Sequence, residues 1–100
     1  MTVISLGYYS TSTVQMSADA LTDMLVDARA HNREHDITGL LTYVGGEFRQ
    51  IIEGPSEYVD ALYASIREDP RHTDVTLVDR HRLIVRQFPH WAMAFQGDTK

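Results

Sequence analysis

Two adjacent glycines, Gly45-Gly46, lead into Glu47-Phe48-Arg49-Gln50-Ile51-Ile52-Glu53-Gly54, and this stretch constrains the chain more than any other. A glycine pair supplies the positive φ that a tight hairpin needs, and the residues after it alternate with the period of a β-strand. Phe48, Gln50 and Ile52 then share one face. Glu47, Arg49, Ile51 and Glu53 share the other, which reads as the wetter side. The anomaly is a carboxamide in the middle of an apolar row. A buried amide without partners costs roughly 1–3 kcal/mol, so both its donor and its acceptor ends must be met. A backbone group or a tyrosine hydroxyl inside an ordinary core would meet them. So would a bound polar ligand.

The remaining segments arrange themselves around that hairpin. Val3 to Ser10 reads as a first strand, with Ile4, Leu6, Tyr8 and Ser10 on one face. Thr11 to Met16 is a polar connection. Ser17 is placed to cap a helix, with Asp19 favourable against its dipole. Leu21, Met24, Leu25 and Ala28 follow at one helical face, and the helix runs to about Asn32. Ile37 to Val44 is the strand that pairs antiparallel across the hairpin. Gly54-Pro55 ends the Gln50 strand, and Ser56 caps a second helix whose apolar face is Val59, Leu62, Tyr63 and Ile66. Asp69-Pro70 stops it, because a residue before proline is biased away from helix.

Val75 to Val78 reads as a fourth strand, with Leu83 to Phe88 extending it or pairing with it. Trp91 to Phe95 is a last strand. The order β-α-β-β-α-β, with right-handed crossovers on both sides of the hairpin, gives an α+β ferredoxin-like fold. It carries an additional C-terminal strand, and both helices lie on the face of a mixed sheet that bears Gln50 and Tyr8.

Length and charge narrow the function classes. A chain of 100 residues is enough for one domain, with its core over about residues 2–95 and the tail from Gly97 to Lys100 beyond it. A net charge of −5 argues against direct nucleic-acid or anionic-membrane binding. The absence of cysteine excludes disulfides, thiolate metal sites and cysteine nucleophiles. The N-terminus lacks the form of a signal peptide and no apolar run is long enough to span a bilayer, so a cytoplasmic location is expected.

His31 and His35 are spaced to chelate on a helix, but no third ligand is tied to them by a motif, so no metal site is expected. No serine lies in a nucleophile-elbow context, and neither GxGxxG nor P-loop spacing occurs. Two polar points stand out. Asn32 ends the first helix beside its apolar face. Asp69-Pro70-Arg71-His72 brings a carboxylate, a guanidinium and an imidazole into one loop, where a helix stop with a local Asp–Arg pair is the plain structural reading.

Several segments together resemble the BLUF domains, blue-light sensors that use FAD. They are Leu6-Gly7-Tyr8-Tyr9-Ser10, Ala28-Arg29-Ala30-His31-Asn32, Ile37-Thr38-Gly39-Leu40-Leu41, Gly46 through Pro55, Ile66 through His72, and Arg86-Gln87-Phe88-Pro89-His90-Trp91-Ala92-Met93. They span almost the whole chain in the family's order and spacing. The resemblance implies a non-covalently bound FAD, or another flavin, between the two helices. Met24 and Ile66 would flank the ring and Asn32 would hold its carbonyl and imide edge. His31 falls at a position beside the flavin in some relatives. Asp69, Arg71 and His72 would belong to the outer-edge and ribityl or phosphate contacts.

By the same resemblance, Tyr8 would hydrogen-bond Gln50, and Gln50 would reach the flavin. Blue light would drive electron and then proton transfer from Tyr8. The Tyr8–Gln50–flavin network would be left rearranged, by amide rotation, tautomerisation or both. Trp91 and Met93 would occupy the segment that changes environment on signalling. The implied protein is a switch and not an enzyme, acting through a fused effector domain or a separate output protein. The uncovered outer sheet face would offer a surface for a partner or for homo-oligomerisation. The competing reading is a cofactor-free interaction or small-ligand regulatory module on the same fold.

Overall fold

In the computed structural model, Gly45 and Gly46 take φ values of 60° and 79°. Val44 pairs with Glu47 around them, which makes the two-residue hairpin loop that the glycine pair calls for. Residues 2–97 are described. The elements run β1 (Val3–Ser12), α1 (Ala18–Glu34), β2 (Thr38–Val44), β3 (Glu47–Pro55), α2 (Ser56–Glu68), β4 (His72–Arg82) and β5 (Ala94–Gly97). Asp98 to Lys100, most of the tail expected beyond the core, lie outside the described residues.

The five strands form one sheet in the order β4-β1-β3-β2-β5. Its first four strands pair antiparallel, because each helical crossover joins strands two places apart. β5 adds parallel to β2, which makes the sheet mixed. This is the ferredoxin-like arrangement with one strand added.

Local chemistry sets the element ends. Ser17 Oγ accepts from the Ala20 amide at 3.1 Å, the N-cap bond expected there. Ser56 does not cap α2. Pro55 holds the cap position with φ −56° and no side-chain bond, and the Ser56 amide donates to the Thr2 carbonyl at 3.0 Å. Proline's fixed φ already suits entry to a helix, so the serine falls one place inside.

The core lies between the sheet and the helices. Phe48, Ile52, Leu6 and Tyr8 from the central strands are buried with Leu21 and Leu25 of α1 and Val59 of α2. Gly39 is forced by proximity: a Cβ there would lie 2.0 Å from the Ile51 carbonyl oxygen. Gly39→Ala is therefore expected to part β2 from β3 locally and destabilise the protein by about 1–3 kcal/mol, the usual range for overpacking. A urea-unfolding midpoint equal to that of the parent chain would contradict this.

Three expectations need correction. Beyond Leu83, whose amide still donates to the Val3 carbonyl at 2.9 Å, the residues to Phe88 neither extend β4 nor pair with it. β4 and β5 occupy opposite edges of the sheet, so the connecting residues must leave the ladder and cross its width. The last strand begins at Ala94 and not at Trp91, because the incoming chain is still turning onto the β2 edge. Glu53, assigned to the wetter face by alternation, is 0% exposed. The crossing segment covers it, and its carboxylate accepts from the Gln87 amide at 3.1 Å and the Phe88 amide at 2.9 Å. Two further strand ends move outward: β1 continues to Ser12 and β4 begins at His72.

Candidate functional site

A cleft of about 240 Å³ opens between the helices above the sheet, somewhat below the usual size of small-molecule sites. Met24 and Ala28 of α1 form one apolar wall, and Leu62 and Ile66 of α2 form the other. These are the helical faces that periodicity marks as apolar, yet the four remain only half-buried. Leu25 and Val59, on the same faces, are buried against the sheet. Tyr8 of β1, Leu41 of β2 and Gln50 of β3 form the floor.

β1 and β3 pair in a register that sets Tyr8 directly opposite Gln50, so their side chains leave the same face of the sheet as neighbours. The Tyr8 hydroxyl donates to Gln50 Oε1 at 2.5 Å. Gln50 Nε2 is left with Met93 Sδ at 3.4 Å. A thioether is a weak acceptor, so the donor end of this buried amide is poorly met within the protein. Tyr8 also packs against Tyr63, with ring centroids 5.6 Å apart. Burial, reinforced by Tyr63 and Asp69, raises the Tyr8 phenol well above its ordinary pKa. It stays protonated at neutral pH.

The helix ends supply the polar rim. Asn32 is 1% exposed near the end of α1, and its Nδ2 donates to the Ala92 carbonyl at 2.7 Å. Its Oδ1 has a long 3.4 Å contact with His31 Nδ1. At the far end Asp69 accepts from Arg71, whose Nη2 lies 2.6 Å from Oδ2. That guanidinium holds the Asp69 carboxyl below the usual carboxylate range. His72 Nδ1 and Ser10 Oγ are hydrogen-bonded at 2.7 Å. Burial lowers the His72 pKa against a smaller opposing pull from Asp69, which keeps the ring neutral at pH 7.

Tyr8, Met24, His31, Asn32, Gln50, Ile66, Asp69, Arg71 and His72 thus all line one cleft, drawn from both helices, three strands and the loop after α2. Trp91 and Met93 part company. Met93 is buried under Gln50, whereas Trp91 is 54% exposed and stacks on Phe88. His31 and His35 stack at 4.2 Å, and no group of three or more metal-ligating side chains occurs among the described residues. Sequence reasoning missed Arg29, whose Nε donates to the Met93 carbonyl at 2.9 Å, and Tyr63. Periodicity places Tyr63 on the inward face of the second helix but not against Tyr8, and nothing in a helical surface pattern marks Arg29.

Over residues 3–94 the chain matches the family described as BLUF, sensors of blue-light using FAD. The chain belongs to the BLUF family. It is a flavin-binding blue-light photoreceptor domain. It is 42% identical to photoactivated adenylate cyclase subunit beta of Euglena gracilis over 93 residues, covering 92% of this chain and 11% of that protein. Among solved structures it resembles the BLUF protein BlrB in its dark state, with a TM-score of 0.91 and 32% identity over 96% of this chain and 73% of that one. A bacterial light-regulated adenylyl cyclase superposes with a TM-score of 0.92 at 33% identity, over 95% of this chain and 28% of that one. The chain therefore spans about a tenth of the curated relatives it matches. Other BLUF relatives are likewise light-regulated signalling proteins by name, and the cofactor-free reading is not favoured. No described helix is long and apolar enough to cross a membrane.

Proposed function

We propose that residues 1–100 form one cytoplasmic sensor domain that binds FAD in the interhelical cleft and reports blue light through the Tyr8–Gln50 pair. The observation that carries this reading is the buried 2.5 Å bond from Tyr8 to Gln50, with the amide's donor end left on a sulfur. The cleft suits a flat, heteroaromatic ring: two facing apolar walls, and buried amides at Gln50 and Asn32. Met24 and Ile66 would flank the ring. Asn32 and His31 would meet its polar edge, while Asp69, Arg71 and His72 would serve the outer edge and the ribityl or phosphate groups. When bound, the flavin supplies the blue-light chromophore and the electron acceptor.

The protein's own part is a proton and an amide. Tyr8 holds its proton tightly in the ground state, and its hydroxyl already points that proton at Gln50 Oε1. Oxidation of a phenol makes it strongly acidic, so the proton would pass along the existing bond to Gln50 Oε1, and on recombination the electron and a proton would return to Tyr8. Gln50 then rotates or tautomerises, and either change exchanges a donor for an acceptor at each end of the side chain. Met93 lies at one of those ends. The change therefore reaches the residues after β4, as expected of a switch and not of an enzyme that turns over a substrate. Output passes to a fused effector or to a separate protein; relatives named as photoactivated adenylate cyclases illustrate the first arrangement.

The test is an absorption spectrum. Expressed with adequate FAD, the protein should purify with flavin bound, red-shift under blue light and recover in the dark. Purification without flavin under those conditions would sink the proposal.

A further inference from the structure

The residues between β4 and β5 form a strap across the sheet, held on both sides of it. On the helix side, Asn32 Nδ2 bonds the Ala92 carbonyl and Arg29 Nε bonds the Met93 carbonyl. At the β2 edge the Gly39 amide donates to the Trp91 carbonyl at 3.0 Å. On the outer face Ser5, Glu53 and Thr38 lie side by side in register. Arg86 Nη1 donates to Thr38 Oγ1 at 3.0 Å, and both Glu53 oxygens take strap amides. Glu53 is the one member of that row that is both fully buried and ionisable. It forms no ion pair with a described residue.

We propose that Glu53 is a positioning residue of the light switch. Its carboxylate clips Gln87 and Phe88 to the outer face of β3, the strand whose inner face carries Gln50, and thereby sets where Trp91 and Met93 fall. A buried carboxylate is expensive to strand without donors, so the strap cannot slide without breaking two charge-assisted bonds at once. Clip and amide share one short strand, so a change at Gln50 and a release of the strap act on the same backbone. Alternation hides this role, because Glu53 falls on the face that looks solvated. The light-dependent half of this inference rests on the photoreceptor reading; the dark-state half does not.

Two variants test it. Glu53→Gln keeps the shape but offers one good acceptor where there were two. Gln87→Pro removes a donor from the strap and leaves the core untouched, so it decides the matter if Glu53→Gln does not fold. In the dark, hydrogen exchange at the amides of residue 88 and residues 90–93 should accelerate roughly tenfold, equivalent to about 1.4 kcal/mol. Exchange in β1 and β3 should stay unchanged, which a general loss of stability would not allow. Trp91 is the chain's single tryptophan. Its dark emission should move to the value that the parent protein shows after illumination, and its light-minus-dark difference should collapse while the flavin red shift persists. Parent-like exchange and parent-like Trp91 emission in a folded variant would overturn the clip. If the parent protein itself shows no light-driven flavin shift, the photoreceptor reading fails, and the dark exchange result still decides the clip.

Discussion

Tyr8→Phe is expected to bind flavin as the parent does and to lose the light-driven red shift entirely. The ring is part of the core, packed at 5.6 Å from Tyr63 and 2% exposed, so phenylalanine fills the same space. What disappears is one hydroxyl and its bond to Gln50 Oε1. A phenylalanine has no proton to release, and the amide then has no reason to change state. The loss of one partner from a buried hydrogen bond should lower stability by about 1–3 kcal/mol. A variant that loses the photocycle while losing no more stability than this has lost chemistry and not its fold. The readout is the difference spectrum before and after blue light on protein with its flavin bound. A reversible shift of parental size would remove Tyr8 from the mechanism.

Gln50→Leu should abolish the same shift by the opposite deletion. Leucine matches the amide in size and suits the apolar row between Phe48 and Ile52, but it strands the Tyr8 hydroxyl in a buried site. Destabilisation of about 1–3 kcal/mol is again expected. The pair gives a sharper test than either variant alone. Removing both partners of a buried hydrogen bond can be nearly neutral. The Tyr8→Phe/Gln50→Leu double variant should therefore be more stable than the sum of the singles predicts, by an interaction energy of about 0.5–3 kcal/mol. Additive unfolding free energies would mean that the two side chains are not coupled in solution, and a surviving red shift in Gln50→Leu would show that the amide is not the switch.

Much of the candidate site was legible because its parts lie on regular elements. Period two put Tyr8 and Gln50 on inward faces of β1 and β3, and period 3.6 put Met24 and Ile66 on inward faces of their helices. What periodicity could not show was that these helical faces stop short of each other and leave a cleft. Glu53 misled for a definable reason. Alternation describes a strand with one covered face, and the strap covers part of the second. Trp91 and Met93 alternate in sequence as a strand would, yet one is exposed and the other buried before any strand begins. The backbone carbonyls of residues 91–93 are held by Gly39, Asn32 and Arg29, which are distant in sequence.

Sequence by itself determined the local structure and the order of the elements: a glycine-paired hairpin, two amphipathic helices, the stops at Pro55 and Pro70, and an amide inside an apolar row. These follow from backbone sterics and side-chain period, which act over a few residues. Only the tertiary structure decided what that amide meets. The register of β1 against β3 delivers the Tyr8 hydroxyl to its acceptor end, and the strap delivers a sulfur to its donor end. A hydrogen bond between residues so far apart in the chain depends on two strands and a crossing loop closing together, and no local pattern encodes the length of that bond.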